Sequence, residues 1–266
     1  MVSWDLCRHA ISIGVAATFL SACGGSQPPI GAPGTMPQSH AIAQHAAHAG
    51  SWMLPEAKSE ELIYVTSADL VSAYTTSGKL VGNLQVQGAK GLCSDSKGDV
   101  FIPDDGPIYE YAHGGTEPTA TLNGPSGYYS AHGCAVDPTT GNLAVTDFSH
   151  DFGAYGNVAI YRHASGNPQT FSDTDIAFYV YCGYDNRGNL FVDGMKTSRG
   201  SSYLAELPSG GDALATIALN ETIERPSAVQ WDGQHVVIGD SYNHVVYQLS
   251  IAGSQGTVIG TIKLTG

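Results

Sequence analysis

Four stretches of this chain repeat one phrase: Cys93-Ser94-Asp95-Ser96-Lys97-Gly98-Asp99-Val100, Val136-Asp137-Pro138-Thr139-Thr140-Gly141-Asn142-Leu143, Tyr184-Asp185-Asn186-Arg187-Gly188-Asn189-Leu190 and Trp231-Asp232-Gly233-Gln234-His235-Val236. Each is an apolar strand, an Asp, a tight turn holding a Gly, and a second apolar strand. Asp accepts backbone N–H bonds in such turns, and Gly supplies the positive φ that the turn needs. The turn glycines Gly98, Gly141, Gly188 and Gly233 are 43, 47 and 45 residues apart. A unit of that length with several short strands is the signature of a β-propeller blade.

Working outward from the turns, each unit divides into four strands. In the last unit they are 227–231, 235–239, 245–250 and 257–264. The third strand recurs at 71–74, 108–111, 158–161, 203–207 and 245–249, and most copies are followed by a Gly (Gly78, Gly114, Gly166, Gly210, Gly253). The first unit starts abruptly at Glu61-Leu62-Ile63-Tyr64-Val65-Thr66, with no clear first strand. Five units are therefore expected between residues 62 and 266, in an all-β fold of four-stranded antiparallel blades.

The stretch Val237-Ile238-Gly239-Asp240-Ser241-Tyr242-Asn243-His244-Val245-Val246-Tyr247 resembles the NHL-repeat phrase, in which Asp and an Asn three residues on precede an aliphatic–aromatic strand. Unit three keeps Asp147 but inserts residues before Asn157, and unit four has Asp193 with no matching Asn. The 62–266 region looks like an NHL or TolB-like exported propeller, a type that usually closes with six blades. The five units are thus either a five-bladed ring or an incomplete six-bladed one, and the second is preferred. The resemblance concerns fold more than activity, because propellers host binding scaffolds, lactonases and lyases alike.

The N-terminal segment reads as an address. Residues 10–20 are an apolar core too short to span a bilayer but fitting a signal peptide. Leu20-Ser21-Ala22-Cys23 then resembles the bacterial lipobox, which implies lipidation of Cys23 and an exported, cell-envelope lipoprotein in the periplasm or on the outer surface. Residues 24–50 are rich in Gly, Ser, Pro, Ala and Gln and read as a flexible tether. His40, His45 and His48 within it are taken as scattered tail residues and not as a metal site. The expected organisation is a signal peptide over 1–22, a tether over 23–58 and a propeller over 59–266.

Composition narrows the partners. Charged residues make up 13% of the chain and the formal net charge is −13, with only 11 Lys and Arg in all. Nucleic acid and a generic anionic bilayer are disfavoured, since both need clustered cations. The membrane is reached through the lipid alone. A protein, peptide or glycan ligand remains compatible.

In a four-stranded meander the loops after the second and fourth strands emerge on one face. That face is expected to gather Asp104, Asp147, Asp193 and Asp240 with Asn243, and the aromatics Tyr128, Tyr129 and Phe178, beside His132 and the long 147–157 loop. The aromatic faces suit a sugar or peptide. The acids suit loop capping more than a ligand. Catalytic templates fail: there is no Gly-x-Ser-x-Gly, no His-Glu-x-x-His and no Walker loop. No catalytic residue, metal ligand or cofactor is assigned, and calcium is the one cation left open. An enzyme is not the preferred reading. The alternative is a divalent-metal lactonase or phosphotriesterase, because Asp147, Asp240 and Asn243 mimic part of the set such propellers resemble, although the expected Glu is missing. A streptogramin-lyase type would need a His–Glu constellation that is not evident.

Cys93, Cys134 and Cys182 lie two or three residues before the repeat Asp. They are expected at equivalent positions on successive inner strands, as small buried residues too far apart to bridge.

Overall fold

A computed structural model describes residues 51–67, 69–104, 106–125, 131–148, 155–197, 200 and 202–265. Cys23, the whole 1–50 segment, Tyr128 and Tyr129 lie outside the described residues. Within them the chain is a β-propeller of five blades.

Blade 1 comprises β1 (Trp52–Met53), β2 (Leu62–Ser67), β3 (Leu70–Thr75) and β4 (Leu80–Gln85). Blade 2 comprises β5 (Cys93–Ser94), β6 (Val100–Pro103), β7 (Pro107–Tyr111) and β8 (Pro118–Asn123). Blade 3 has β9 (Ala131–Val136), β10 (Leu143–Asp147), β11 (Asn157–Tyr161) and β12 (Gln169–Phe171). Blade 4 has β13 (Phe178–Tyr184), β14 (Leu190–Met195), β15 (Ser202–Leu207) and β16 (Ala215–Leu219). Blade 5 has β17 (Pro226–Trp231), β18 (Val236–Asp240), β19 (Val245–Ala252) and β20 (Gln255–Lys263).

Blades 2 to 5 are antiparallel meanders in chain order, and the outer strands of blades 4 and 5 also pair in parallel over Ala218↔Gln255 and Leu219↔Gly256. Blade 1 is built differently. Its sheet order is β1-β4-β3-β2, so the strand absent from the start of the unit is made up on the outer edge by β1, through Trp52↔Asn83 and Met53↔Gly82.

The repeat phrase is hairpin chemistry. Asp95 Oδ1 accepts the N–H groups of Lys97 and Asp99, at 2.8 and 2.9 Å. Asp185 does the same for Arg187 and Asn189, and Asp232 for Gln234 and His235. Gly98, Gly141, Gly188 and Gly233 have φ of 86°, 72°, 83° and 98°, the left-handed region that a Cβ disfavours.

Alternation along each strand sends side chains to two neighbouring blades. Four apolar clusters result. One joins blades 1 and 2 through Tyr64, Val71, Val100 and Ile102. The second joins blades 2 and 3 through Phe101, Ile108, Leu143 and Tyr161. The third joins blades 3 and 4 through Ala144, Val158, Leu190 and Val192. The fourth joins blades 4 and 5 through Phe191, Leu204, Val229 and Ile238. Among the described residues, no such cluster joins blade 5 to blade 1.

The cysteines depart from expectation. Cys93 and Cys134 form a disulfide across the blade 2–3 seam, with Cα atoms 5.6 Å apart. The register explains it. Cys93 pairs with Phe101, whereas Cys134 and Cys182 pair with Val145 and Val192, one residue further along their partner strands. A one-residue offset turns a side chain to the other face of the sheet. Cys93 therefore faces blade 3 while Cys134 faces back toward blade 2. Reach comes from close backbone approach: a Cβ on Gly91 would fall 2.4 Å from the His132 carbonyl oxygen, and one on Gly183 would fall 2.7 Å from that of Val229. Cys182 is a free thiol buried against blade 3, its Sγ 3.9 Å from the Ala144 carbonyl oxygen. Burial, then the nearby Asp193, pushes its pKa up, so it stays a thiol.

Candidate functional site at the channel mouth

The inner strands β2, β9, β13 and β17, with the segment leading into β5, surround a cavity of about 50 Å³, bordered by Tyr64, Thr66, Leu92, Gly133, Tyr181 and Gln230 among others. The repeated build of the inner strands shapes its mouth. A bulge recurs in β9, β13 and β17, between the pairs Val145/Asp147, Tyr179/Cys182 and Pro226/Ala228. A bulge drops one residue out of the ladder and re-aims its neighbours. In β9 the freed Gly133 N–H is taken by Thr146 Oγ1 at 2.7 Å. In β13 the freed Tyr181 N–H is taken by Asp193 Oδ1 at 2.8 Å.

At this bulged end the aromatic rings converge. The His132 ring lies 5.5 Å from Phe148 and 5.4 Å from Tyr181, edge-on to the latter. Phe148 lies 5.0 Å from Phe178. All four side chains are partly buried, and so present some ring surface at the mouth between blades 3 and 4. Burial, with Asp193 behind it, raises the Tyr181 phenol to about 12. The phenol is therefore a neutral hydrogen-bonding group at ordinary pH.

Asp104 follows β6, and Asp147 and Asp240 close β10 and β18, whereas Asp193 departs from the expected loop and lies inside β14, because it comes one residue early in the repeat and the strand runs on to Met195. All four are turned to local work. Asp240 is 1% exposed. Its carboxylate accepts the N–H groups of Glu224, Arg225, Tyr242 and Asn243 and the Asn243 side-chain amide. Burial alone would raise its pKa, but these donors outweigh burial and hold it below the ordinary value. Asn243 is thus a partner of Asp240. Asp147 is 2% exposed and accepts from Asn157 Nδ2 at 3.2 Å. Asp104 is partly buried at the turn where its N–H bonds the Pro107 carbonyl. Asp193 is fully buried on β14. Among the described residues, no three His, Cys, Asp or Glu side chains gather where they could hold a metal ion.

Of the aromatic set, Phe178 stands in the ring cluster. Phe148 and Tyr181 were not singled out by sequence. Phe148 directly follows the repeat-position Asp147, so reading one residue further would have found it. Tyr181 is hidden because the bulge breaks the alternation that tells inward from outward.

No protein family profile matches the chain, and no curated protein matches it. Solved structures do. The chain is similar to a propeller in the nidogen/laminin complex, with a TM-score of 0.59 at 15% identity, over 77% of this chain and 81% of that one. The fold is a β-propeller. The propeller is also similar to virginiamycin B lyase from Staphylococcus aureus, with a TM-score of 0.55 at 11% identity over 82% and 70% of the two chains. Kuenenia stuttgartiensis hydrazine synthase gives a TM-score of 0.58 at 17% identity, over 76% of this chain and 64% of that one. At these identities the likeness concerns the fold alone.

Proposed function

We propose that this chain is an exported, lipid-anchored propeller of the NHL or TolB-like type that binds a protein, peptide or glycan at its channel mouth. The observation that carries the reading is the convergence of His132, Phe148, Phe178 and Tyr181 at one end of the cavity. Partly exposed rings beside polar groups are how surfaces take up sugars and peptides without charge pairing. The excess of acid over base sets nucleic acid aside. One propeller of similar fold is part of a nidogen/laminin complex, an assembly of proteins. The disulfide between blades 2 and 3 fits an oxidising compartment, as the signal-like 1–22 segment and Cys23 require. No cofactor belongs to this proposal. The hydrolase reading is not carried forward, because Asp240 and Asn243 are spent on each other and on their loop.

Glycan and peptide arrays probed with the chain, and with a Phe148→Ala/Phe178→Ala double variant, test the binding reading. Capture by the first and at least tenfold weaker capture by the second is expected. Absence of capture on both arrays, or capture that the double variant leaves unchanged, overturns it. Calcium-dependent turnover of a lactone or phosphotriester would replace it with the hydrolase. The anchor is tested separately: Cys23→Ala should move the protein from membrane to soluble fractions and abolish palmitate labelling.

A further inference from the structure

Seams 3–4 and 4–5 are built on the same plan with one residue changed. Thr146 and Asp193 occupy matching positions, each just after the residue that pairs with the inner-strand Cys: Val145↔Cys134 in blade 3 and Val192↔Cys182 in blade 4. Both face the following blade. Thr146 shares its face with Ala144, which packs on blade 4, and Asp193 shares its face with Phe191, which packs on blade 5. Each caps the N–H freed by the bulge in its own inner strand. Thr146 then crosses the seam, its hydroxyl donating to the Val180 carbonyl of blade 4 at 2.8 Å. Asp193 has a second oxygen free for the same task, since Oδ2 is buried without a hydrogen-bond partner. An ionised oxygen there would be a desolvated, unpaired charge, which burial strongly disfavours. A protonated one is a donor, as Thr146 is.

We propose that Asp193 is held as a neutral carboxylic acid that latches blade 4 to blade 5, donating from Oδ2 to a carbonyl of the first residues of β17, and that raising the pH unlatches this seam. Ser227 of β17 stands where Val180 stands in β13, next to the third bulge. On Asp193's own blade the titratable neighbours are Tyr181 and Cys182, both kept protonated by burial, and β15 sets Leu204 opposite. From blade 5, β17 offers Ser227 and Ala228. The charged groups nearest them in the chain, Glu224 and Arg225, have their N–H groups bound by Asp240. Burial, opposed by the Tyr181 N–H, raises the Asp193 pKa from the ordinary 3.8 to about 8. The folded state thus keeps a proton that the unfolded chain releases near pH 4. The contribution to stability is full below that point, declines as pH rises, and is lost once pH passes about 8. Because Oδ1 also holds Tyr181, loss of the latch loosens the ring that meets His132.

Denaturant unfolding of the wild type, Asp193→Asn and Asp193→Thr between pH 4 and 9 tests the latch. The wild-type folding constant relative to either variant is expected to fall by up to about tenfold per pH unit, then level off above pH 8. Parallel profiles for all three proteins overturn the proposal. Should Asp193→Asn fail to fold, Asp193→Thr carries the comparison, since it copies the residue blade 3 already uses. Infrared spectra give an independent reading. A protonated-carboxyl band in the wild type at pH 6–7, absent from Asp193→Thr, supports the latch, and its absence from the wild type overturns it.

Discussion

The blade 2–3 seam and the facing surfaces of blades 5 and 1 are the two extremes of this propeller. The first is held by an apolar cluster, a disulfide and a half-buried hydrogen bond from the Tyr161 hydroxyl to the Asn123 carbonyl at 2.6 Å. The second has no shared cluster among the described residues, although Val65 of β2 and Val229 of β17 border the same cavity. Tyr64 turns toward blade 2, so alternation turns Ile63 and Val65 the other way, where they are 38% and 37% exposed. On blade 5, Ile262 pairs with Val246 on the face opposite the Leu249–Val236 side and is 63% exposed. The two surfaces are made of the same kinds of residue. What differs is whether a neighbour covers them, so stability here belongs to seams and not to blades.

The sharpest break of that contrast is at the disulfide. Replacing Cys93 and Cys134 with Ala frees a loop set by a sequence separation of 41 residues. Chain-entropy reasoning puts the loss at about 4 kcal/mol, read as a lower denaturant midpoint that reducing agent reproduces in the wild type and does not add to in the variant. Next comes Gly91→Ala. The added methyl would sit 2.4 Å from the His132 carbonyl oxygen, backbone that cannot step aside. Overpacking of this sort costs about 1–3 kcal/mol, and the same change at Gly141, which has open space but a φ of 72°, should cost less than about 1.5 kcal/mol. Both are measurable by thermal or denaturant unfolding.

These effects also show where sequence alone stops. The hairpin turns were legible because Asp and Gly act within a few residues: Asp185 captures Arg187 and Asn189, and Gly188 takes the positive φ. From the turns follow the period, the strands and the blades. The seams were not legible, because they depend on which face a residue occupies after a bulge, and a bulge shifts that assignment without altering composition. Cys93 and Cys134 looked equivalent, yet their pairing differs by one residue and they meet. Asp193 looked like a displaced copy of Asp147 and Asp240, yet it matches Thr146 and caps a bulge. The ring cluster was legible in part, through Phe178 and His132 on the expected rim. Phe148 lay one residue beyond the rim position Asp147, and Tyr181 joins only once β13 is folded around its bulge.

A smaller effect is expected at Tyr161→Phe. The ring stays and packs as before, and only the hydroxyl that serves the Asn123 carbonyl is lost. Asn123 is exposed, so water can serve its carbonyl and losing this hydrogen bond costs about 0.5–1.5 kcal/mol; a double-mutant comparison with the Cys93/Cys134 pair should show coupling, because both act on one seam. Burial, with the Asp147 charge, raises the phenol's pKa well above its ordinary value, as burial does for Tyr179, Tyr181 and Tyr184, so ultraviolet titration should find fewer tyrosines ionising in strong alkali in the wild type than after denaturation, and Tyr161→Phe should shrink that difference by one.

The smallest effects belong to the uncovered faces. Val65→Thr and Ile262→Thr remove apolar surface that water already touches, so each should change stability by no more than about 0.5 kcal/mol. The comparison with a matched residue inside a seam is the informative part. Val145→Thr, fully buried in the blade 2–3 cluster, exchanges a methyl for a hydroxyl with the same shape, and burying that group without a partner costs about 1–3 kcal/mol. If Val65→Thr destabilised as much as Val145→Thr, the faces of blades 5 and 1 would have to be covered in solution, and the contrast between seams would fail. Near-neutral values at Val65 and Ile262 beside a large loss at Val145 would instead locate the folding energy in the four packed seams. They would also leave these two faces as the part of the ring where substitution is tolerated most freely.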